Sequence, residues 1–218
     1  MVQRKYITYN QVHKLCQESA QKILNEFKPS LMIAIGGGGY VPARILRSFL
    51  KTKDSANIPI QAIGLSLYEK LSTGNSSSSG PEEKAGHTVT RTQWLDFSAV
   101  KNSDLVGRNI LIVDEVDDTR TTLQYAVQEL QKDVEMAAEK MGRKGEETRF
   151  FVFVLHNKNK DKKGVLPEDM MREGRYLAAE TVGDEWCCYP WEATDIDEHD
   201  RLAAEAESKK SASKPNGN

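Results

Sequence analysis

Cysteine is scarce in this sequence, and the three present, Cys16, Cys187 and Cys188, have no metal-ligand spacing and form no disulfide framework. Adjacent cysteines rarely bridge each other, so reduced thiols in a cytoplasmic setting are expected. Long apolar runs are also lacking. None approaches the roughly 18 residues of a membrane helix, and the opening MVQRKYITYN has no apolar core of a signal peptide. Neither sign of charge dominates: 30 Lys and Arg against 32 Asp and Glu leave a formal charge of -2, without the basic face or stripe of a nucleic-acid binder. No internal repeat is visible. What remains is a chain of 218 residues with 39% apolar content, enough for one well-buried domain and a few appendages.

Helix-period and strand-like segments alternate along it. Thr8 to Phe27 carries Val12, Leu15, Cys16, Ile23, Leu24 and Phe27 mostly on one face, and Thr8 and Gln11 have the spacing of a capping box. Leu31–Ile35 is a short continuous apolar run, suited to a strand covered on both faces. Gly36, Gly37, Gly38 and Gly39 follow, and Pro42 opens a second helical pattern. Further strands are expected at 60–67, 110–113 and 150–155, with a weaker one at 176–181, and a long helix at 121–141. Such alternation predicts an α/β fold with a mainly parallel sheet flanked by helices. Between Glu69 and His87 the chain is rich in Ser and Gly and nearly devoid of apolar residues, a composition shared by active-site lids and by surface insertions.

The chemistry concentrates in one segment, ILIVDEVDDTRTTL at 110–123. An apolar strand ends in Asp114, Glu115, Asp117 and Asp118, and Thr119, Thr121 and Thr122 open a helix. In open α/β sheets ligands bind at the carboxyl ends of strands. A helix N-terminus offers free N–H groups and partial positive charge to a phosphate. Threonine hydroxyls add donors, and adjacent carboxylates suit a pair of sugar hydroxyls. The segment therefore describes a pocket for a ribose 5-phosphate. An acidic helix cap would explain one or two of these acids, not four.

VDEVDDTRTT resembles the binding motif for phosphoribosyl pyrophosphate (PRPP) of the type I phosphoribosyltransferases, and among them the chain is most similar to fungal xanthine and hypoxanthine-guanine enzymes. The resemblance implies that fold, with a small C-terminal hood over the base. It implies that Asp114 and Glu115 hold the ribose hydroxyls, that Asp118, Thr119, Arg120, Thr121 and Thr122 wrap the 5-phosphate, and that Asp118 also accepts the purine N7 proton. Many relatives have Gly where this chain has Arg120, so the loop is expected to avoid a positive backbone angle there or to point the guanidinium outward. Gly36 to Gly39 resemble the pyrophosphate loop, which in the family can contain a non-proline cis peptide. Gly37 stands where bacterial relatives carry Arg, with Arg44 a candidate replacement cation. Ser66 and Tyr68 resemble the start of a lid.

DEWCCYPWE at 184–192 resembles the hood, which implies that Trp186 stacks on the base, that the Cys187 backbone meets its exocyclic position, and that Glu192 helps Asp114 and Glu115 hold magnesium. Lys158 resembles a lysine that meets O6 of the base; on its residues alone it is equally one cation of a solvated loop with Lys160, Lys162 and Lys163. Trp94 and His156 are expected to be structural. The implied organisation is a core over 1–182 with a mobile lid around 66–90, a hood over 183–203 and a disordered tail over 204–218. The implied activity is transfer of phosphoribosyl from PRPP to a 6-oxopurine, with Mg2+ as cofactor and a homodimer as the assembly. The alternative is a non-catalytic regulator that senses PRPP or nucleotides on the same fold. No nucleic-acid or membrane partner is expected.

Overall fold

The computed structural model describes residues 3–53, 57–68, 85–95 and 105–212. Its centre is a six-stranded sheet built from β2 (Leu31–Gly36), β3 (Ile60–Tyr68), β4 (Ala85–Gln93), β5 (Asn109–Asp117), β6 (Arg149–Lys158) and β7 (Tyr176–Val182), in the order β4-β3-β2-β5-β6-β7. All neighbours are parallel except the antiparallel pair β3–β4. The remaining strands, β1 (Arg4–Tyr6) and β8 (Trp186–Cys188), form a separate parallel pair.

The period of two in each apolar run sorts the core into two layers. Met32, Ala34, Leu111, Val113, Phe151 and Phe153 face α1 (Tyr9–Glu26) and α2 (Tyr40–Phe49). Ile33, Ile35, Ile110, Ile112, Val152 and Val154 face α3 (Thr121–Lys140) and the short α4 (Glu168–Arg172). A strand buried on both faces has no polar position, which is why these segments read as unbroken apolar runs. α1 begins as expected: Gln11 N–H donates to Thr8 Oγ1 at 3.2 Å and Thr8 N–H to Gln11 Oε1 at 2.8 Å. Trp94 packs in the second layer and donates through Nε1 to Asp133.

β2 leads through α2 to β3 on one side, while β5 lies on its other side and leads into α3 on the opposite face. The order therefore reverses between β2 and β5, and a crevice opens at their carboxyl ends. The acid-bearing segment and the glycine run both end there.

Two expectations need correction. The region from 204 was expected to be disordered, yet α5 runs Ile196–Ala212. Its first half is anchored by His199, whose Nε2 meets the Ile7 carbonyl at 2.8 Å, and by the buried Ala203; further along, Gln11 Nε2 donates to Glu207. These contacts come from β1 and α1, about 190 residues earlier in the chain, so local polarity gave no sign of them. The hood, expected from 183–203 alone, is completed by β1: Arg4, Lys5 and Tyr6 pair with Trp186, Cys187 and Cys188.

Candidate active site

The crevice is a cavity of about 850 Å³, walled by Gly36–Gly38, Tyr40, Val41, Leu65, Ser66, Asp114–Leu123, Lys163, Trp191 and Glu192. That size suits a small-molecule ligand with several polar groups. β5 does not stop at Val113. It continues through the acids to Asp117, still alongside β6, with Asp114 paired to Val154 and Val116 to His156 on either side of Glu115. Asp114 is buried and accepts from Glu115 N–H at 2.9 Å. Burial, and then the charge of Glu115, pushes its carboxyl well above the usual range. Glu115 faces the glycine turn. A Cβ on Gly38 would overlap its carboxylate, and its buried Oε2 has no hydrogen-bond partner among the described residues. Two crowded carboxylates with an unsatisfied oxygen and a raised cost of ionisation form a donor set that fits a hard cation or sugar hydroxyls. Among the described residues no group of three acidic, His or Cys side chains could hold a metal alone.

Opposite the acids, the Gly36–Gly37 peptide is cis. A Cβ on Gly39 would strike the carbonyls of Ile35 and Val113, whereas one on Gly37 would meet nothing within 4 Å. Arg44 lies outside the cavity wall; its Nη1 donates to Ser48 on the exposed side of α2. Lys163, which the sequence places in a solvated basic loop, lines the cavity, as does Arg120.

Thr119 to Thr122 turn into α3 with no described hydrogen bond using their amides. The Thr119 and Thr121 hydroxyls lie 3.0 Å apart. Arg120 contradicts both sequence expectations. Its φ is +67°, left-handed, and its guanidinium turns inward onto Asp117, with its carbon 4.9 Å from the Tyr176 ring centre. A residue with a Cβ is disfavoured there by about 1–2 kcal/mol, so these partners must hold it.

The base-binding candidates gather at one edge of the crevice. Lys158 is the last residue of β6, paired with Val182 and buried, and not part of the loop beyond it. Its Nζ lies 3.5 Å from Asp118 Oδ1 and 5.7 Å from the Trp186 ring centre. Trp186 is 50% exposed. Lys160 bridges Asp118 at 2.9 Å and Asp184 at 2.7 Å. Cys187 is buried and its backbone pairs with Lys5; burial pushes its thiol up to about 11, which keeps it protonated. Ser66 and Glu192 stand in the cavity wall. The Tyr68 side chain and residues 69–84 of the expected lid lie outside the described residues, while 66–68 and 85–90 belong to β3 and β4.

The sequence reading missed what lies behind the acids. Tyr189 stacks on Trp191 with centroids 4.7 Å apart, and its hydroxyl donates to the Glu115 carbonyl at 3.0 Å and meets His156 Nδ1 at 2.9 Å. Burial lowers His156 to about 4. The run CCYPWE at 187–192 carries no periodic signal that would have exposed this support.

Residues 8–163 match the phosphoribosyl transferase domain family. The chain is 57% identical over 205 residues to xanthine phosphoribosyltransferase 1 of Saccharomyces cerevisiae, covering 92% of this chain and 95% of that one. It is 57% identical over 201 residues, with the same coverage, to the hypoxanthine-guanine phosphoribosyltransferase of Schizosaccharomyces pombe. Among solved structures, a hypothetical protein from Neisseria gonorrhoeae with bound ppGpp superposes with a TM-score of 0.69 at 38% identity, covering 94% of this chain and 98% of that one. A purine phosphoribosyltransferase from Pyrococcus horikoshii shares the fold, with a TM-score of 0.55 at 23% identity over 89% of this chain and 97% of that one.

Proposed function

This chain belongs to the phosphoribosyl transferase domain family, and from that premise we propose that it transfers 5-phosphoribosyl from PRPP to a 6-oxopurine base in purine salvage, releasing pyrophosphate. The observation that carries this reading is that one cavity is walled by a glycine turn, a buried acid pair and an open helix start. These three features answer the three parts of PRPP: pyrophosphate, ribose hydroxyls and 5-phosphate. The likeness to xanthine and hypoxanthine-guanine enzymes on both sides leaves xanthine, hypoxanthine and guanine as the candidate bases. The ppGpp bound to the Neisseria protein is a guanine nucleotide, the chemical class of one proposed product.

In this reading Gly36 to Gly39 let the backbone approach the pyrophosphate closely. Asp114 and Glu115 hold the ribose 2- and 3-hydroxyls, and the turn from Asp118 to Thr122 wraps the 5-phosphate with amides and hydroxyls. Asp114, Glu115 and Glu192, which do not gather into a three-ligand site by themselves, are the residues that would help a bound substrate hold Mg2+. The ion would neutralise charge on the leaving pyrophosphate. The base stacks on Trp186, the Lys158 ammonium donates to its O6 and the Cys187 backbone meets its exocyclic position. Lys158 as a donor matches an oxo group at C6 and opposes an amino group there. As the base attacks the anomeric carbon and the bond to pyrophosphate breaks, Asp118 accepts the N7 proton. Ser66 and Tyr68 would begin the lid. Positioning and electrostatics supply the rate, with no covalent intermediate on the protein.

The test is turnover with PRPP and a panel of bases. Formation of nucleoside monophosphate from xanthine, hypoxanthine or guanine is expected. Activity on adenine or a pyrimidine alone would overturn the base assignment. PRPP binding without turnover on any base would return the regulator.

A further inference from the structure

The acid of the motif that the proposed reaction does not use is Asp117. It is the last residue of β5, paired with Asn157, and its carboxylate is completely shielded from solvent beneath the turn. Oδ2 accepts from Arg120 Nε at 2.9 Å and from the Tyr176 hydroxyl at 2.7 Å, and Arg120 Nη2 lies 2.8 Å away. Tyr176 also lies beneath the Arg120 guanidinium, so the tyrosine fixes both members of the ion pair.

The other side of the turn is held by the loop after β6. Lys162 Nζ donates to the carbonyls of Asp117 at 2.7 Å, Asp118 at 2.8 Å and Lys158 at 2.9 Å, and lies 3.6 Å from Asp117 Oδ1. The amides of Lys163 and Gly164 both donate to the Thr119 carbonyl at 3.0 Å. A Cβ on Gly164 would strike the backbone of Arg120.

We infer that Asp117 is a positioning residue: with Arg120, Tyr176 and Lys162 it holds residue 120 left-handed and so aims the amides and hydroxyls of Thr119 to Thr122 at the ligand phosphate. The inference rests on the reading of that turn as the 5-phosphate subsite. A side chain disfavours the left-handed conformation that glycine adopts freely, so a residue with a Cβ stays there only when its surroundings require it. Here the requirement is a charge pair that cannot be opened without stranding a carboxylate out of water. Two cations against one anion also leave the cluster net positive beneath a subsite for a phosphate. Lys162 further ties the turn to the Lys158 carbonyl, so the phosphate subsite and the base-side lysine share one mechanical support.

The test uses ribose 5-phosphate, which carries the 5-phosphate without pyrophosphate or base, alongside steady-state kinetics. Asp117→Leu should weaken ribose 5-phosphate binding and raise the KM for PRPP by about tenfold or more, with a smaller change in the KM for the base. Adding Arg120→Gly should recover most of that loss, because glycine takes the left-handed shape unaided and leaves no guanidinium stranded. A folded Asp117→Leu variant that binds ribose 5-phosphate like the parent would overturn the inference, as would a double variant no better than the single one. If Asp117→Leu does not fold, Asp117→Asn with and without Arg120→Gly makes the same comparison. Thr122→Ala is the control for the underlying reading. Undiminished ribose 5-phosphate binding in that variant would remove the turn from the phosphate subsite, whatever Asp117 does.

Discussion

The two ends of the crevice are built differently. At the phosphate end each polar group is fixed from behind. Asp114 is paired with Val154, the Glu115 carbonyl is backed by Tyr189, and the turn is clamped by Asp117, Arg120 and Lys162. At the base end burial is mixed: Lys158 and Cys187 are buried, whereas the Asp118 side chain is 44% exposed, Asp184 59% and Trp186 half exposed. Preorganised dipoles and charges contribute most where they need not rearrange during reaction. Groups near solvent gain less from each contact and leave room for different bases. On the proposed reading, the groups for the common phosphoribosyl half are built into the sheet, whereas those for the base are divided between Lys158 at the end of β6 and a small hood.

The largest effect should come from breaking the rigid end. Asp114→Asn with Glu115→Gln should lower kcat/KM for PRPP by about 10³-fold or more while leaving the far-ultraviolet circular dichroism unchanged. Near-parental turnover would remove the acid pair from the reaction. Next is Asp118, which joins the two ends. Asp118→Asn keeps the shape but cannot take a proton, so the single-turnover rate should fall by about 10²–10³-fold with PRPP binding retained. Lost PRPP binding with an intact single-turnover rate would make Asp118 a scaffold of the turn.

The pH dependence of stability probes the buried support. His156 is held at about 4 against an ordinary value of 6.5, so between those values the unfolded chain binds a proton that the folded chain refuses. Stability should fall as pH drops from about 6.5 to 4 and level off below, by up to about 3 kcal/mol. Thermal melts of His156→Gln should lack that component; an identical slope in parent and variant would assign the loss to other groups. The smallest effect is expected at the open end. Trp186→Ala should raise the KM for the base by about 5- to 100-fold, the equivalent of one stacking contact, with little change in the KM for PRPP. Equal changes in both would mean that the two ends are not separable.

Much of the fold was legible because it is written in local periodicity. The doubly buried strands at 31–35, 110–113 and 150–155, the capping box at Thr8 and the helix from 121 all follow from patterns a few residues long. The acid pair and the threonine turn were legible for the same reason, since strand, acids and helix start are contiguous. Asp117 was visible as an acid but not as a buried one. The signal was there in principle: an inward position in a strand that continues past Val113 requires a partner, and Arg120 lies three residues on. Local polarity misjudged both Lys162, three of whose hydrogen bonds reach main-chain carbonyls, and α5, which is held by β1 and α1.

The α/β alternation, the two-faced burial of the central strands and the run of acids and threonines that resembles the phosphoribosyl motif were readable from residues that are neighbours in the chain. The left-handed Arg120 over its buried acid, the placing of Lys158 beside Asp118 and Trp186, and the joining of β1 to the hood emerged with the folded chain. Arg120 and Asp117 are three residues apart but are held by Tyr176 and Lys162, and the other features likewise join residues from distant parts of the chain. A charge, a backbone angle or a short strand of that kind is stabilised only by partners that folding brings to it.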